Sequence, residues 1–209
     1  MTTTLHLDNA NIADSIEQPM VTIVIVPRER FSYSQQSLES VYAETDYPFE
    51  LVYVDGGSSP ELKAYLAAQS HEKQFKLIRT EHFLSPNRAR NLGIQAARGK
   101  YIVFVDNDVL VQKGWLQKLV DCAEETDATV VGTLTCIDSP IHEVVHNGGG
   151  TTYIEVRTEG TKTGRYAVQK SYLEGNRVSK IADELTRFKC EFVEFHTALV
   201  RKSFVDEHG

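Results

Sequence analysis

The chain has 209 residues, of which 41% are hydrophobic and 24% charged, and its formal net charge is −7 at pH 7. This composition is that of an ordinary soluble globular protein, and the negative charge argues against general binding to nucleic acid or to a membrane surface. No apolar run is as long as a transmembrane helix, and no basic-then-apolar leader is present. The three cysteines, Cys122, Cys136 and Cys190, lack metal-ligand spacing, which indicates reduced thiols and a cytoplasmic protein.

The first part of the chain predicts an extension followed by a buried strand and a helix. Residues 1–19 are polar and show no periodicity, so we interpret them as an extension outside the core. Val21–Val26 is continuously apolar, which is typical of a strand buried on both faces, and Pro27 ends it. Ser34–Glu44 carries apolar residues at helical spacing.

The next two strand and helix pairs follow the same order. Phe49–Val54 is the second predicted strand and ends at Asp55, and Phe75–Ile78 is a short third strand. The helix between them begins at Pro60, and Ser59 is its predicted N-cap.

Ser85 and Pro86 give the start signal of a further helix, which Gly99 is expected to close. Arg88 and Arg90 lie in its first turn, where the helix dipole disfavours cations. The pattern therefore favours an anion bound at this end, although solvent alone could also accommodate the two arginines.

The segment Lys100–Val109, with the sequence KYIVFVDNDV, combines a buried strand with two carboxylates. Tyr101–Val105 is continuously apolar, and Asp106, Asn107 and Asp108 follow it directly. Two carboxylates at such a place repel each other and lose hydration, so they need a compensating positive charge. Mg²⁺ or Mn²⁺, with the diphosphate that it carries, would supply that charge. The alternative interpretation is a polar turn that caps the next helix.

Strand and helix alternate three times before Asp106, which predicts an α/β fold with a mostly parallel sheet flanked by helices. Ligands of such sheets bind at the carboxyl ends of the strands, where both Asp55 and Asp106 are expected. Another helix follows at Trp115–Ala123 and a further strand at Thr129–Leu134, and a helix is also expected to begin at Arg201–Phe204.

Beyond Ile137 the pattern changes, so we divide the chain into an α/β half at 20–137 and a smaller mixed or antiparallel region at 138–209. Lys162–Leu185 is polar and weakly patterned, which indicates a loop or lid. Phe192–Val200 is predicted to be the last strand, with Glu194 and His196 two residues apart on one face. His196 is either a site residue that faces a metal or an acceptor, or a satisfied core histidine.

Four stretches of the chain resemble, in order, family 2 inverting glycosyltransferases of the GT-A fold. VTIVIVP is similar to the family's opening strand, and SLESVYAETDYPFELVYVDGGSS to the stretch leading to its uracil-binding carboxylate. RARNLGIQAARGKYIVFVDNDV is similar to its Ala-Arg-Asn-x-Gly helix and D-x-D strand, and HTALVRKSFVDEHG to its acceptor-side strand and helix.

The resemblance implies an enzyme that transfers a sugar, with inversion and metal assistance, from a nucleotide sugar, with a UDP-sugar expected, to an acceptor hydroxyl. Asp55 would lie by the nucleoside, and Arg88 and Arg90 by the base and phosphates. Asp106 would face the ribose or a metal-bound water, and Asp108 would bind the Mn²⁺ or Mg²⁺ ion; both carboxylates are metal-site candidates. Pro27, Glu29, Asn107 and His196 complete the expected substrate-binding set.

The chain departs from the family pattern at three places. The family often has two acidic residues where this chain has Asp55-Gly56, so looser recognition of the base is expected. Pro27-Arg28-Glu29-Arg30 stands where the family usually has Asn or Glu, so Glu29 is the expected substitute. The family's catalytic base usually follows the segment that resembles VDEHG, which favours a base beyond Gly209 and a chain that is a fragment of a longer protein. Glu194, Asp206 and Glu207 are the candidates within the sequence.

Two other classes stay open, a non-catalytic or truncated sugar-nucleotide-binding domain and a sugar nucleotidyltransferase. Nucleotidyltransferases usually carry a Gly-rich basic loop after the first strand, whereas this chain has VPRERFSYS without glycine. The acceptor is expected to be a carbohydrate, a lipid-linked sugar or a protein, and nucleic acid is not an expected partner. The family setting places the protein in the cytoplasm, peripheral to the inner face of the membrane.

Overall fold

The computed structural model describes residues 20–28, 30–137 and 143–208. Within these ranges the chain forms a six-stranded sheet, two two-stranded sheets and six α-helices. The strands are β1 (Val21–Val26), β2 (Glu50–Gly56), β3 (Lys76–Thr80), β4 (Tyr101–Asp106), β5 (Val130–Gly132), β6 (Thr135–Ile137), β7 (Val144–Asn147), β8 (Gly150–Glu159), β9 (Lys162–Ser171) and β10 (Thr197–Arg201). The helices are α1 (Ser34–Glu44), α2 (Pro60–Lys73), α3 (Pro86–Ala96), α4 (Trp115–Thr126), α5 (Val178–Ile181) and α6 (Lys202–His208).

The central sheet has the strand order β3-β2-β1-β4-β10-β5, in which β1 to β4 are parallel and β10 is antiparallel to both of its neighbours. The α/β fold with a mostly parallel sheet is therefore confirmed. Strand β1 is followed by β2 and then β3 on one side of it, and β4 lies on its other side. The strand order thus reverses between β1 and β4, which is where open α/β sheets bind ligands.

Side chains of alternate residues of the buried strands pack into two hydrophobic cores, one on each face of the sheet. On one face, Ile23 and Val103 pack with side chains of α1, α2 and α4. On the other face, Val24 and Ile102 pack with Ala89 of α3. Because both faces are covered, β1 and β4 are apolar throughout rather than alternating.

Helix α3 lies close to the sheet because small residues face it. A Cβ added at Gly93 would lie 2.1 Å from Val24 Cγ1. The prediction that Gly99 closes this helix is wrong, since α3 ends at Ala96. A Cβ at Gly99 would lie 2.6 Å from Thr22 N, so this glycine instead permits close contact with the start of β1.

Two predicted elements of the second region differ from the structure. Within Lys162–Leu185, interpreted as a loop, Lys162–Ser171 forms β9 and pairs with β8 along its whole length. Most β9 residues are exposed, so the strand has no apolar alternation that the sequence could reveal. The predicted strand Phe192–Val200 is shorter, because only Thr197–Arg201 pairs with β4 and β5.

Two sequence predictions concern residues outside the described ranges. The extension at 1–19 lies wholly outside them, and the division at Ile137 falls beside residues 138–142, which are also outside, so both stay predictions. Among the helices that the structure describes, none combines the length and apolarity needed to cross a bilayer.

Candidate functional site

The candidate site lies at the carboxyl ends of β1 and β4, where Asn107 joins the two strands. Its backbone N–H donates to the Val26 carbonyl at 2.9 Å, and its side-chain Oδ1 accepts from the Arg28 backbone N–H at 2.7 Å. The amide Nδ2 donates to Ser34 Oγ at 2.6 Å. Asn107 is buried, and these bonds fix the loop after β1 against the Asp106–Asp108 turn.

Asp106 is the last residue of β4, is 1% exposed and contacts three nitrogen-bearing side chains. Its Oδ1 accepts from Arg90 Nη2 at 3.2 Å. Its Oδ2 lies 3.4 Å from Arg28 Nε and 3.2 Å from His196 Nδ1. The buried carboxylate is thus compensated by the protein itself, and both of its oxygens are engaged.

Asp108 lies two residues further on, is half-buried and has a different environment. Within the described ranges no cationic side chain is in ion-pair distance of it. Burial and the negative charge of Asp106 raise the pKa of its carboxyl group, against smaller opposing effects of a backbone hydrogen bond and of the charges of Arg30 and Arg28. A carboxylate in this state fits a divalent ion, because the ion would replace the lost hydration and offset the repulsion.

His196 immediately precedes β10 and connects Asp106 to a second carboxylate. Its Nε2 lies 3.0 Å from Glu194 Oε2, and His146 Nε2 of β7 lies 3.5 Å from the same oxygen. The hydrogen bond to Asp106 raises the pKa of His196, against the opposing effect of burial. His196 thus has a carboxylate near each ring nitrogen, and its assignment as a site residue rather than a satisfied histidine stays a prediction.

Asp55 lies near the carboxyl end of β2 and forms a separate ion pair with Arg79. Its Oδ2 accepts from Arg79 Nε at 2.9 Å, and its Oδ1 from the Ser58 backbone N–H at 3.3 Å. Asp55 is 1% exposed. The structure places it at the predicted carboxyl edge, with β1 between β2 and the Asp106 strand.

The remaining predicted residues are distributed around this edge or away from it. Arg88 is exposed in the first turn of α3, and Pro27 directly follows β1. Glu29 lies outside the described residues. Asp206 and Glu207 are in α6, which starts beside Lys100, at the end of β4 opposite to Asp106.

Sequence reasoning missed three contributors, namely Arg28, Arg79 and His146. Arg28 could have been suspected, since two arginines follow the first strand directly. Arg79 pairs with Asp55 from the adjacent strand, so its role depends on strand order. His146 is 50 positions before His196 in the sequence, and no spacing pattern joins residues so far apart.

Solved structures share this architecture at low sequence identity. The mannosyltransferase PcManGT from Pyrobaculum calidifontis, in complex with GDP-Man and Mn²⁺, aligns with a TM-score of 0.58 and 16% identity, over 93% of this chain and 48% of that one. S. aureus TarS 1–349 in complex with UDP-GlcNAc aligns with a TM-score of 0.57 and 16% identity, over 90% of this chain and 46% of that one. The protein therefore has the GT-A fold.

The family model described as Glycosyl transferase family 2 matches residues 22–209, and the chain belongs to that family. EpsH of Bacillus subtilis (strain 168), which carries the name of a glycosyltransferase, is 26% identical over 203 residues, covering 90% of this chain and 58% of EpsH. The succinoglycan biosynthesis protein ExoO of Rhizobium meliloti (strain 1021) is 30% identical over 112 residues, covering 54% of this chain and 32% of ExoO. The chain thus spans 58% or less of these two relatives.

Proposed function

We propose that this chain forms the nucleotide-sugar-binding part of an inverting glycosyltransferase that uses a UDP-sugar. The observation that carries the proposal is the pair of unlike carboxylates at the β1–β4 edge. Asp106 is compensated by Arg28, Arg90 and His196, whereas Asp108 lies within ion-pair distance of no described cation. One carboxylate is thus available for a cation at the place where the fold binds ligands.

In this proposal Asp108 holds Mn²⁺ or Mg²⁺, which would offset the negative charge that builds up on the departing nucleoside diphosphate. The chain's own residues orient the donor. Asp106, whose two oxygens are engaged by Arg28, Arg90 and His196, orients these three side chains at the edge of the site. Exposed Arg88 in the first turn of α3 attracts the phosphates. A cation at a helix start is otherwise unfavourable, so an anion there improves the electrostatic energy.

We further propose that Asp55 recognises the base. A uracil N–H can donate to a carboxylate oxygen, and each oxygen has two lone pairs, so the bonds from Arg79 and Ser58 leave acceptor capacity. Because Asp55 is 1% exposed, access of a base requires a local rearrangement around this residue.

The base that deprotonates the acceptor hydroxyl is proposed to lie outside the described residues. Among the three candidates, Glu194 has its Oε2 between two imidazoles, 3.0 Å from His196 Nε2 and 3.5 Å from His146 Nε2, and shielded from solvent. Asp206 is paired with Lys202, and Glu207 follows it in the helix that starts at the far end of β4. The chain alone is thus expected to bind the donor better than it transfers the sugar.

Calorimetric titration of the chain with UDP, UMP and GDP, each with Mn²⁺ and with EDTA, tests the proposal. We expect UDP to bind in Mn²⁺ and to lose at least about tenfold in affinity in EDTA, which corresponds to about 1.4 kcal/mol. UMP, which lacks the second phosphate, should show little dependence on the metal. Equal binding of UDP with and without Mn²⁺ would contradict the metal assignment, and absence of UDP and GDP binding would contradict the function. Tighter binding of GDP than of UDP would overturn the assigned donor.

A further inference from the structure

Three potential metal ligands converge beside the nucleotide site without belonging to the Asp106–Asp108 pair. His146 comes from β7, and Glu194 and His196 come from the segment before β10. One ligand atom of each residue can be chosen so that all three lie within 4.8 Å of one another. The rings of His146 and His196 have centroids 5.3 Å apart.

The distances match those between ligands of one small ion. Zn²⁺ binds imidazole nitrogen and carboxylate oxygen at about 2.0–2.1 Å, so neighbouring tetrahedral ligands are about 3.3 Å apart. Glu194 Oε2 lies 3.0 Å from His196 Nε2 and 3.5 Å from His146 Nε2, on either side of that value. The distances from Glu194 to both imidazoles are therefore close to those between ligands of one tetrahedral ion.

The chemistry of Glu194 Oε2 gives a second, independent indication. This oxygen is shielded from solvent and accepts no hydrogen bond of acceptable geometry in the described structure, although both imidazole nitrogens are close to it. A buried carboxylate oxygen without a hydrogen bond costs free energy. A cation between the two rings would remove that cost, because it would bind the oxygen and both nitrogens.

The surroundings hold the ligands in place. His196 Nδ1 contacts Asp106 Oδ2, and the His196 carbonyl accepts from the Asp106 backbone N–H at 3.0 Å, so the ring presents Nε2 to Glu194. A carboxylate on the far nitrogen of a ligand histidine is the usual outer-shell arrangement at zinc sites. Asn147, next to His146, fixes β7 through bonds to Gly149 N and Ser171 Oγ.

We propose that His146, Glu194 and His196 form a Zn²⁺ site distinct from the ion that Asp108 binds with the nucleotide. Two imidazoles and one carboxylate suit Zn²⁺, whereas an oxygen-only set with phosphates suits Mg²⁺ or Mn²⁺. Three protein ligands leave a fourth position for water. The ion links β7 to the segment before β10 and thereby stabilises the ring that contacts Asp106.

Titration of the full chain with Zn²⁺, without nucleotide and with Mg²⁺ in excess, tests this site. We expect one Zn²⁺ per chain. His146→Ala and Glu194→Gln should weaken binding by more than about 100-fold, since loss of a direct ligand exceeds the 10–100-fold typical of an outer-shell partner. Asp108→Asn and His82→Ala, which change the nucleotide site and an exposed histidine, should leave Zn²⁺ binding unchanged.

Co²⁺ substitution identifies the ligands directly, and circular dichroism without metal verifies that each variant is folded. Nitrogen and oxygen ligation gives visible bands without a sulfur-to-cobalt charge-transfer band. Such a charge-transfer band would assign the ion to a cysteine and overturn the site. The proposal also fails if folded wild-type chain binds no Zn²⁺, or if His146→Ala binds it as tightly. Because nucleotide is absent, these outcomes are independent of UDP binding.

Discussion

At the scale of single residues, Asp106 and Asp108 show how neighbours decide the state of a carboxylate. Asp106 is more deeply buried than Asp108, and its negative charge is offset by Arg28, Arg90 and His196. Asp108 is the carboxyl group whose pKa is raised, by burial and by Asp106. The two acids of the D-x-D pattern therefore lie in different environments, one paired with cations of the protein and one with no described cation in ion-pair distance.

Loss of Arg90 should destabilise the fold. Its Nη2 donates to Asp106 Oδ1 at 3.2 Å and to the Phe195 carbonyl at 3.3 Å. Arg90→Ala leaves the buried carboxylate with one cation fewer, so we expect the free energy of unfolding to fall by about 2–3 kcal/mol. Arg88→Ala, an exposed change in the same turn, should stay within about 0.5 kcal/mol of wild type. Urea unfolding of both variants makes the comparison, and equal losses would contradict the assigned role of Arg90.

At the scale of elements, the contact between α3 and β1 depends on a missing side chain. Gly93→Ala puts a Cβ 2.1 Å from Val24 Cγ1, and the β-branched valine in a full core cannot rotate away easily. We expect a loss of about 1–3 kcal/mol from overpacking, although alanine favours helix by about 1 kcal/mol. Asn91→Ala, exposed on the same helix, is the control and should be neutral or stabilising. A Gly93→Ala variant that is as stable as the control would show that the helix can move outward freely.

Glu50, at the end of the sheet opposite to the candidate site, should make the stability of the protein depend on pH. Burial raises the pKa of Glu50, but hydrogen bonds from Thr22 and Arg98 and the charge of Arg98 outweigh it, so the net shift is downward. A depressed folded-state pKa stabilises the protein above the unfolded pKa of about 4.3, and this contribution is lost as the pH falls through the folded value. Glu50→Gln should therefore cost about 1–2 kcal/mol at pH 7 and progressively less below pH 4.

Urea unfolding at several pH values measures this difference. Glu81→Gln, at a side chain that is 83% exposed, serves as the charge-matched control and should differ little from wild type at any pH. A Glu50→Gln cost that stays constant from pH 7 to pH 3 would show that the Glu50 contacts do not depend on its charge.

The same elements show which parts of the fold could be predicted from sequence. β1 and β4 were predictable because burial on both faces leaves an unbroken apolar run. The hairpin β8–β9 was only partly predictable. Strand β9 is largely exposed, so its sequence lacks the alternation of apolar and polar residues that would indicate a strand paired with β8. Helix α3 has a clear start signal but no glycine stop, because Gly99 is used for contact with β1.

At the scale of the whole molecule, strand order brings the candidate site together. The sequence placed Asp55 and Asp106 at strand ends, but it could not show that β1 separates their strands. It also could not bring His146 to His196, because that contact depends on how the region after Ile137 folds back. Local patterns therefore predicted the acids, whereas tertiary structure supplied their partners.

The central claim is that Asp108 holds the metal ion through which the nucleoside diphosphate binds. Calorimetric titration of Asp108→Asn with UDP, with and without Mn²⁺, tests it most directly. Asp46→Asn, which removes the same charge from an exposed residue outside the candidate site, is the control. We predict that Asp46→Asn retains the Mn²⁺-dependent gain in UDP affinity and that Asp108→Asn, equally folded, loses it. If Asp108→Asn keeps the full gain, the metal is bound elsewhere and the proposed site is wrong.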